Sequence, residues 1–172
     1  DQLLRETKRR ARLLEATAQV GRRVTSILDA DALLKKKVDI LCAVYGFYYA
    51  GIFLVDAGGD WAVLRAGRGE AGAEMVAERY KLKVGGLSMV GMAIAERRAL
   101  LTLDVEEEPL YLKNPHLLLT LSEMALPLIV GDKVIGAVTV QSEEEAAFTS
   151  EDMTTLQTMA DQVAVALDNA RL

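Results

Sequence analysis

Residues 122–142 read SEMALPLIVGDKVIGAVTVQS, and this stretch decides the fold. Two apolar runs, Glu123 to Val130 and Lys133 to Ser142, flank the dipeptide Gly131-Asp132, whose composition is typical of a tight turn. Strands joined by so short a turn run in opposite directions. The stretch therefore predicts a β-hairpin and a mainly antiparallel sheet.

A second hairpin is predicted upstream of the first. Tyr48 to Val55 is rich in aromatic and β-branched residues, Asp56 to Asp60 has a turn composition, and Trp61 to Ala66 forms the returning strand. Between the hairpins the sequence predicts two short helices, over residues 70–80 and 88–98, and two short strands, over residues 81–84 and 100–104. Residues 105–121 are predicted to form a long loop.

Long helices are predicted at both ends of the chain. The N-terminal helix is expected to restart at Asp29 or Asp31 and to end at Gly46. Thr149 and Asp152 resemble a capping box that opens the C-terminal helix. Both helices carry apolar stripes at three- and four-residue spacing. Two interpretations stay open and are compatible: the helices cover one sheet face, or they also bundle with a second chain.

Length and composition narrow the class of protein. The 172 residues suffice for one domain. With a formal net charge of −5, the chain lacks the overall positive field that would attract it to nucleic acid or to an anionic membrane. A single cysteine excludes an internal disulfide and a cysteine-rich zinc site. Because the chain opens Asp1-Gln2 without a signal-peptide pattern or a membrane-spanning run, we expect a cytoplasmic domain cut from a longer protein.

In their order along the chain, these segments resemble the GAF domain family, the small-ligand sensor modules of bacterial signalling proteins such as sensor histidine kinases. The stretches that carry the resemblance are residues 48–56, 122–128, 134–142, 147–149 and 156–166. The resemblance covers nearly all of a single domain, 1–172, in which 1–28 and 150–172 would be the terminal signalling and dimerisation helices. It implies an α+β fold, an α/β/α sandwich around an antiparallel sheet of five or six strands. The N- and C-terminal helices would bundle on one face, with the short helices and the loop on the other.

The resemblance also implies a function. Many members bind a small ligand between the sheet and the 70–121 segment and relay the change through the terminal helices of a homodimer or higher homo-oligomer. We expect no catalysis, because the sequence holds no nucleophile elbow, Walker loop or HExxH motif. Relatives that reduce free methionine sulfoxide use several cysteines, and a lone cysteine cannot form their disulfide.

Two residues are candidates for holding a cofactor. Cys42 would anchor a bilin only if it lay in the pocket region, and its place on the predicted second helix favours a buried structural thiol. His116, the sole histidine, could ligate haem iron, but a lone histidine in a loop is more often solvated. We therefore expect neither haem nor bilin, no other cofactor and no metal.

The region 100–121 is unusually rich in leucine for a loop. Where the relatives usually carry proline, an acidic residue and arginine, this chain has Leu118, Leu119 and Leu121. Burying a leucine is worth about 1.5–3 kcal/mol, so these side chains line a ligand pocket, form an interface with another chain, or belong to the core. The second explanation makes the domain a structural or engineered assembly module that uses residues 110–121, an alternative to the sensory function.

The candidate site residues follow from these alternatives. The pocket candidates are Phe53, Leu101, Leu103, Leu112, Leu118, Leu121, Glu123 and Met124. The interface candidates are Leu110, Leu117, Leu118 and Leu119 in the loop and Leu14, Ala18, Leu156, Ala160, Val163 and Leu167 on the terminal helices.

Overall fold

The computed structural model describes the backbone of residues 2–170 and the side chains of residues 2–11 and 30–170. The described chain contains four α-helices, six strands and one 3₁₀ turn. In order, these are α1 (Gln2–Tyr45), β1 (Tyr49–Val55), β2 (Trp61–Gly67), α2 (Gly69–Ala77), β3 (Lys81–Lys83), α3 (Met89–Glu96), β4 (Leu100–Thr102), the 3₁₀ turn (Val105–Glu107), β5 (Ser122–Val130), β6 (Lys133–Ser142) and α4 (Ser150–Ala170).

The six strands form one sheet in the order β3-β2-β1-β6-β5-β4, and every neighbouring pair is antiparallel. The predicted hairpin pairs β5 with β6 from Ser122↔Ser142 to Val130↔Lys133. Its turn carries Gly131 at φ +58°, a conformation that glycine adopts without a steric penalty. The predicted antiparallel α+β fold is confirmed.

The N-terminal helix is continuous from Gln2 to Tyr45, so the predicted restart at Asp29 or Asp31 is wrong. Residues 22–45 contain neither glycine nor proline, and an aspartate inside a helix costs less than about 1 kcal/mol, which does not break it. The predicted end is confirmed: Gly46 has φ +70°, and its N–H donates to the carbonyl of Cys42 at 2.9 Å.

Helices α1 and α4 pack on the same sheet face, as predicted. Their buried residues share one core with the β-strands; those on the helices are Leu34, Val38, Leu41, Cys42, Leu156, Ala160, Val163, Ala164 and Leu167. The capping box at the start of α4 is formed, since Thr149 N donates to Asp152 Oδ2 at 2.8 Å and Asp152 N donates to Thr149 Oγ1 at 3.1 Å. No helix in the described chain is apolar over a length that would cross a bilayer.

The other sheet face carries α2, α3 and the 103–121 segment over a second core. Helix α2 lies close against β2, because a Cβ on Gly72 would collide with the Gly67 backbone. Ser88 is the N-cap of α3, as predicted, and its hydroxyl accepts from the Gly91 N–H at 2.9 Å. The fold thus places two separate cores on opposite faces of one sheet.

Candidate functional site

A row of polar side chains crosses the sheet on the α2–α3 face. Tyr49 on β1 pairs with Gln141 on β6, which in turn pairs with Glu123 on β5. Thr139 lies two residues before Gln141, and residues two apart on a strand project from the same face. Strand pairing therefore gathers four polar side chains on a face that is otherwise apolar.

Hydrogen bonds join these side chains into a buried network. Oε2 of Glu123 accepts from Thr139 Oγ1 at 2.6 Å and from Gln141 Nε2 at 2.9 Å. The Gln141 amide is itself fixed, because Thr120 Oγ1 donates to its Oε1 at 2.6 Å. Glu123 is only 6% exposed, and no described residue donates to its Oε1. Both hydrogen bonds therefore fall on Oε2, and the other carboxylate oxygen, Oε1, has no hydrogen-bond partner among the described residues.

Burial sets the charge state of Glu123. Loss of hydration raises its pKa from 4.5 to about 7, and the hydrogen bonds from Thr139 and Gln141 partly oppose the rise. The side chains that line the cavity beside it include no lysine, arginine or histidine. The carboxyl group therefore changes between its neutral and charged forms near neutral pH.

Three tyrosines line the same cavity as the carboxyl group. The hydroxyl of Tyr49 is buried and, among the described side chains, is the one buried polar atom without a hydrogen-bond partner. Burial raises the pKa of Tyr49, of Tyr80 and of Tyr111, and the nearby Glu123 adds to each rise. The Tyr80 ring also packs 6.3 Å from the ring of Phe53, measured between centroids.

These groups line a cavity of about 30 Å³, which is room for one or two water molecules. The sheet forms its floor, and α2, the start of α3 and residues 111–117 close it. The lining residues are Tyr49, Phe53, Met75, Tyr80, Leu82, Ser88, Met89, Val90, Tyr111, Leu112, Asn114, Leu117, Glu123, Thr139 and Gln141.

Residues 111–117, here called the lid, are held to α2 by side chains. Asn114 Nδ2 donates to the Met75 sulfur at 3.3 Å, and Asn114 Oδ1 accepts from the His116 N–H at 2.9 Å. The His116 ring lies 3.2 Å from a carboxylate oxygen of Glu78 and 3.5 Å from one of Glu74. His116 therefore fastens the lid from outside and does not line the cavity.

Three of the predicted pocket residues line this cavity, namely Phe53, Leu112 and Glu123. Leu101 and Met124 instead pack with the core under α1 and α4, because alternate residues of a strand face opposite sides. The other three do not line the cavity either: Leu103 and Leu118 are exposed, and Leu121 is half-buried.

The loop leucines predicted at an interface divide into three groups. Leu117 is buried and lines the cavity, and Leu110 packs partly buried against the same core. Leu118 and Leu119 are 67% and 58% exposed. The loop leucines are thus distributed among the cavity lining, the core and the surface.

The predicted interface residues of α4 lie in the chain's own core. Leu156, Ala160, Val163 and Leu167 are buried against the sheet and α1, so they are not available to a second chain. This corrects their assignment as interface residues. The side chains of Leu14 and Ala18 lie outside the described residues.

Sequence reasoning missed most of the polar network. Tyr49, Thr139, Gln141 and Asn114 were not among the candidates, although one signal was present. Thr139 and Gln141 alternate with valines in the strand VTVQS, and such polar residues at every second position place polar groups on one face of a buried strand.

The sole cysteine lies on the opposite face of the sheet from this network. Cys42 belongs to the core under α1 and α4, across the sheet from the cavity, and burial raises the pKa of its thiol. This placement fits the predicted structural thiol and keeps its sulfur out of the cavity.

The chain matches one family model and many solved structures. The family model described as GAF domain matches residues 28–168. A comparison with curated proteins finds no match.

Three solved structures illustrate the range of the similar folds. The GAF domain of a phosphoenolpyruvate-protein phosphotransferase from Coxiella burnetii is 21% identical, with a TM-score of 0.74 over 88% of this chain and 94% of that one. The second GAF domain of DevS from Mycobacterium smegmatis is also 21% identical, with a TM-score of 0.65 over 82% and 94% of the two chains. A type II free methionine-R-sulfoxide reductase from Thermoplasma acidophilum is 22% identical, with a TM-score of 0.69 over 81% and 93%.

The matched residues include most of α4, all six strands and the whole polar network. The match spans most of the chain, and the structural neighbours share its sheet and helices. The chain therefore belongs to the GAF domain family.

Proposed function

We propose that this domain is a non-catalytic sensory module of a cytoplasmic signalling protein, which binds a small ligand in the cavity under the lid. The observation that carries the proposal is the pair of polar groups left unpaired there, Tyr49 Oη and Glu123 Oε1. A buried polar group without a partner costs about 1–3 kcal/mol, so a ligand that pairs with the Tyr49 hydroxyl would recover that free energy, and the same ligand could reach Glu123 Oε1 beside it.

The sheet offers a direct path from the cavity to the long helices. On β5, Glu123 lies on the cavity side, whereas its neighbours Met124 and Leu126 belong to the core under α1 and α4. A ligand that moves Glu123 therefore moves side chains against which α4 packs. We propose that binding shifts the relative position of the two terminal helices in this way.

The output is proposed to pass through a dimer of the N-terminal helix. Helix α1 has 44 residues and is therefore about 66 Å long. Residues 2–11 are all exposed, including Leu4 and Ala11, which lie seven residues apart on one stripe. The occupant we propose for this stripe is α1 of a second copy of the chain.

Light scattering after size exclusion tests the dimer. Leu4→Asp with Ala11→Asp is expected to give a monomer, whereas Gln2→Asp, off the stripe, keeps the dimer. A double variant with the oligomeric state of the wild type would contradict this route.

Ligand binding is tested by screening a small-molecule library with ¹H–¹⁵N correlation spectra of the whole chain. Binding is expected to shift the backbone amides of Glu123, Thr139 and Gln141 and to raise the melting temperature. A library in which no compound moves these signals, with a crystal structure that shows the cavity filled by its own side chains, would overturn the proposal.

The absence of catalysis is a separate part of the proposal, since two solved neighbours are free methionine-R-sulfoxide reductases. The only thiol, Cys42, lies across the sheet from the cavity, so no cysteine can attack a ligand bound there. We expect no turnover of methionine-R-sulfoxide with a thiol reductant. Turnover that is abolished in Cys42→Ala would contradict a purely sensory function.

One observation favours the assembly module as a second candidate. Leu118 and Leu119 follow the lid directly and are largely exposed, which is costly for neighbouring leucines unless a partner covers them. In this alternative the occupant is the same surface of a second copy. Light scattering on Leu118→Asp and Leu119→Asp decides it: an oligomeric state unchanged in both variants would eliminate the alternative.

A further inference from the structure

We propose that the cavity binds a small organic cation, with its ammonium group between Glu123, Tyr49 and the aromatic rings under the lid. The inference rests on the proposed function and adds the chemical class of the ligand. It follows from three features of the cavity: its charge, its aromatic walls and its size.

The charge of the lining favours a cation. Glu123 is the single ionisable side chain of the lining other than the tyrosines, and its partners Thr139 and Gln141 are neutral donors that occupy Oε2. A buried carboxylate is stable only when a counter-charge or several hydrogen bonds compensate its lost hydration. Among the described residues no cation reaches this carboxyl group, so an ammonium N–H at Oε1 would complete its environment.

The same feature disfavours anions. A phosphate or carboxylate ligand would need a positively charged side chain, and the cavity lining contains none. It would also face the carboxyl group of Glu123 directly. The like charges would repel each other strongly in a site with so little water.

The walls suit a cation as well. Four aromatic rings line the cavity, belonging to Tyr49, Phe53, Tyr80 and Tyr111. The electron-rich faces of such rings attract ammonium groups. The Tyr49 hydroxyl, which has no partner, can accept a second N–H of the same ammonium.

The size of the cavity limits the ligand. About 30 Å³ holds the ammonium head and a carbon or two, so a longer chain has to displace the lid. A ligand with so few non-hydrogen atoms can gain only a limited binding free energy. For propylammonium this corresponds to a Kd on the order of a millimolar.

Cation binding should depend on pH in a defined direction. The titratable groups that face Glu123 are Tyr49 on β1, Tyr80 after α2 and Tyr111 in the lid, and burial keeps all three neutral by raising their pKa. Because the pKa of Glu123 is about 7, the carboxylate form grows roughly tenfold between pH 6 and pH 8. The affinity for an ammonium should rise by the same factor, with release of a proton.

The test titrates the whole chain with methylammonium and propylammonium chloride, and separately with 1-propanol and sodium propionate, at constant ionic strength. The readout is the ¹H–¹⁵N shift of residues 123, 139 and 141. We expect saturable shifts with the ammonium salts, about tenfold tighter at pH 8 than at pH 6. Binding should weaken at least tenfold in Glu123→Gln and stay unchanged in Glu143→Gln, which removes an exposed carboxylate.

Two results would overturn the inference. If propionate or propanol shifts these signals and the ammonium salts do not, the cation class is wrong, while ligand binding in the cavity stands. If ammonium binds equally well to the wild type and to Glu123→Gln, the site lies elsewhere. The proposed function is judged separately by the library screen, in which a ligand of any class at this cavity supports it.

Discussion

Replacing Glu123 by glutamine should change how the stability of the fold depends on pH. In the unfolded chain this carboxyl group has a pKa near 4.5, and in the folded chain burial raises it to about 7. Between these values the folded state holds a proton that the unfolded state has lost. The stabilising contribution is therefore complete below pH 4.5 and is lost as the pH rises through 7.

The size of the effect follows from the two pKa values. They differ by about 2.5, and each unit is worth about 1.4 kcal/mol, so the full contribution is about 3.5 kcal/mol. Between pH 5 and pH 8.5 the wild type should lose roughly 2–3 kcal/mol of its free energy of unfolding through this group. Glu123→Gln keeps a carbonyl oxygen as acceptor for Thr139 and Gln141 but cannot titrate.

Urea denaturation at constant protein concentration measures the effect. The difference in free energy of unfolding between Glu123→Gln and the wild type should grow in favour of the variant by roughly 2–3 kcal/mol from pH 5 to pH 8.5. Glu145→Gln, which removes an exposed carboxylate, should run parallel to the wild type. Parallel curves for Glu123→Gln and the wild type would refute the reasoning, because they would mean that burial does not perturb this group.

Three further substitutions test the neighbourhood of the cavity. Tyr49→Phe removes a buried hydroxyl without a partner, so thermal unfolding should show a gain of up to about 1 kcal/mol in the free energy of unfolding. The control Tyr45→Phe, at an exposed position, should show no such gain, and a loss of stability in Tyr49→Phe would mean that the hydroxyl is paired. Gly72→Ala should cost about 1–3 kcal/mol in urea denaturation, because its Cβ meets the Gly67 backbone, and a neutral result would contradict that close approach. His116→Ala releases the lid from α2, so hydrogen exchange should accelerate in residues 111–117 while the stability falls by less than about 1 kcal/mol; unchanged exchange would show that the ring does not hold the lid.

Short-range signals account for the parts of the fold that could be predicted. Gly131-Asp132 between two apolar runs specifies a hairpin locally, and Ser88, Thr149 and Asp152 mark helix starts through hydrogen bonds to backbone N–H groups within three residues. The helix restart predicted at Asp29 or Asp31 was wrong, because a local signal for a helix start was read without the residues on either side of it. A helix interior tolerates such a residue when its neighbours favour the helix.

The candidate site was only partly predictable. Glu123 was named from its place in the motif, but its partners Thr139 and Gln141 lie 16 and 18 residues away in sequence and meet it only through the register of β5 and β6. The leucines of residues 110–121 are alike in sequence, yet Leu117 is buried and Leu118 is exposed. A segment without a regular period has no repeat from which its buried face can be read.

The sequence by itself determined the order of helices and strands, the two antiparallel hairpins and the helix caps, because each depends on interactions between residues near one another in the chain. Only the tertiary structure decided that the apolar stripe of α4 is used within its own core and that a carboxyl group of β5 is sealed under the lid. Burial and pKa depend on what packs against a side chain from distant parts of the chain, and local patterns carry no record of those neighbours.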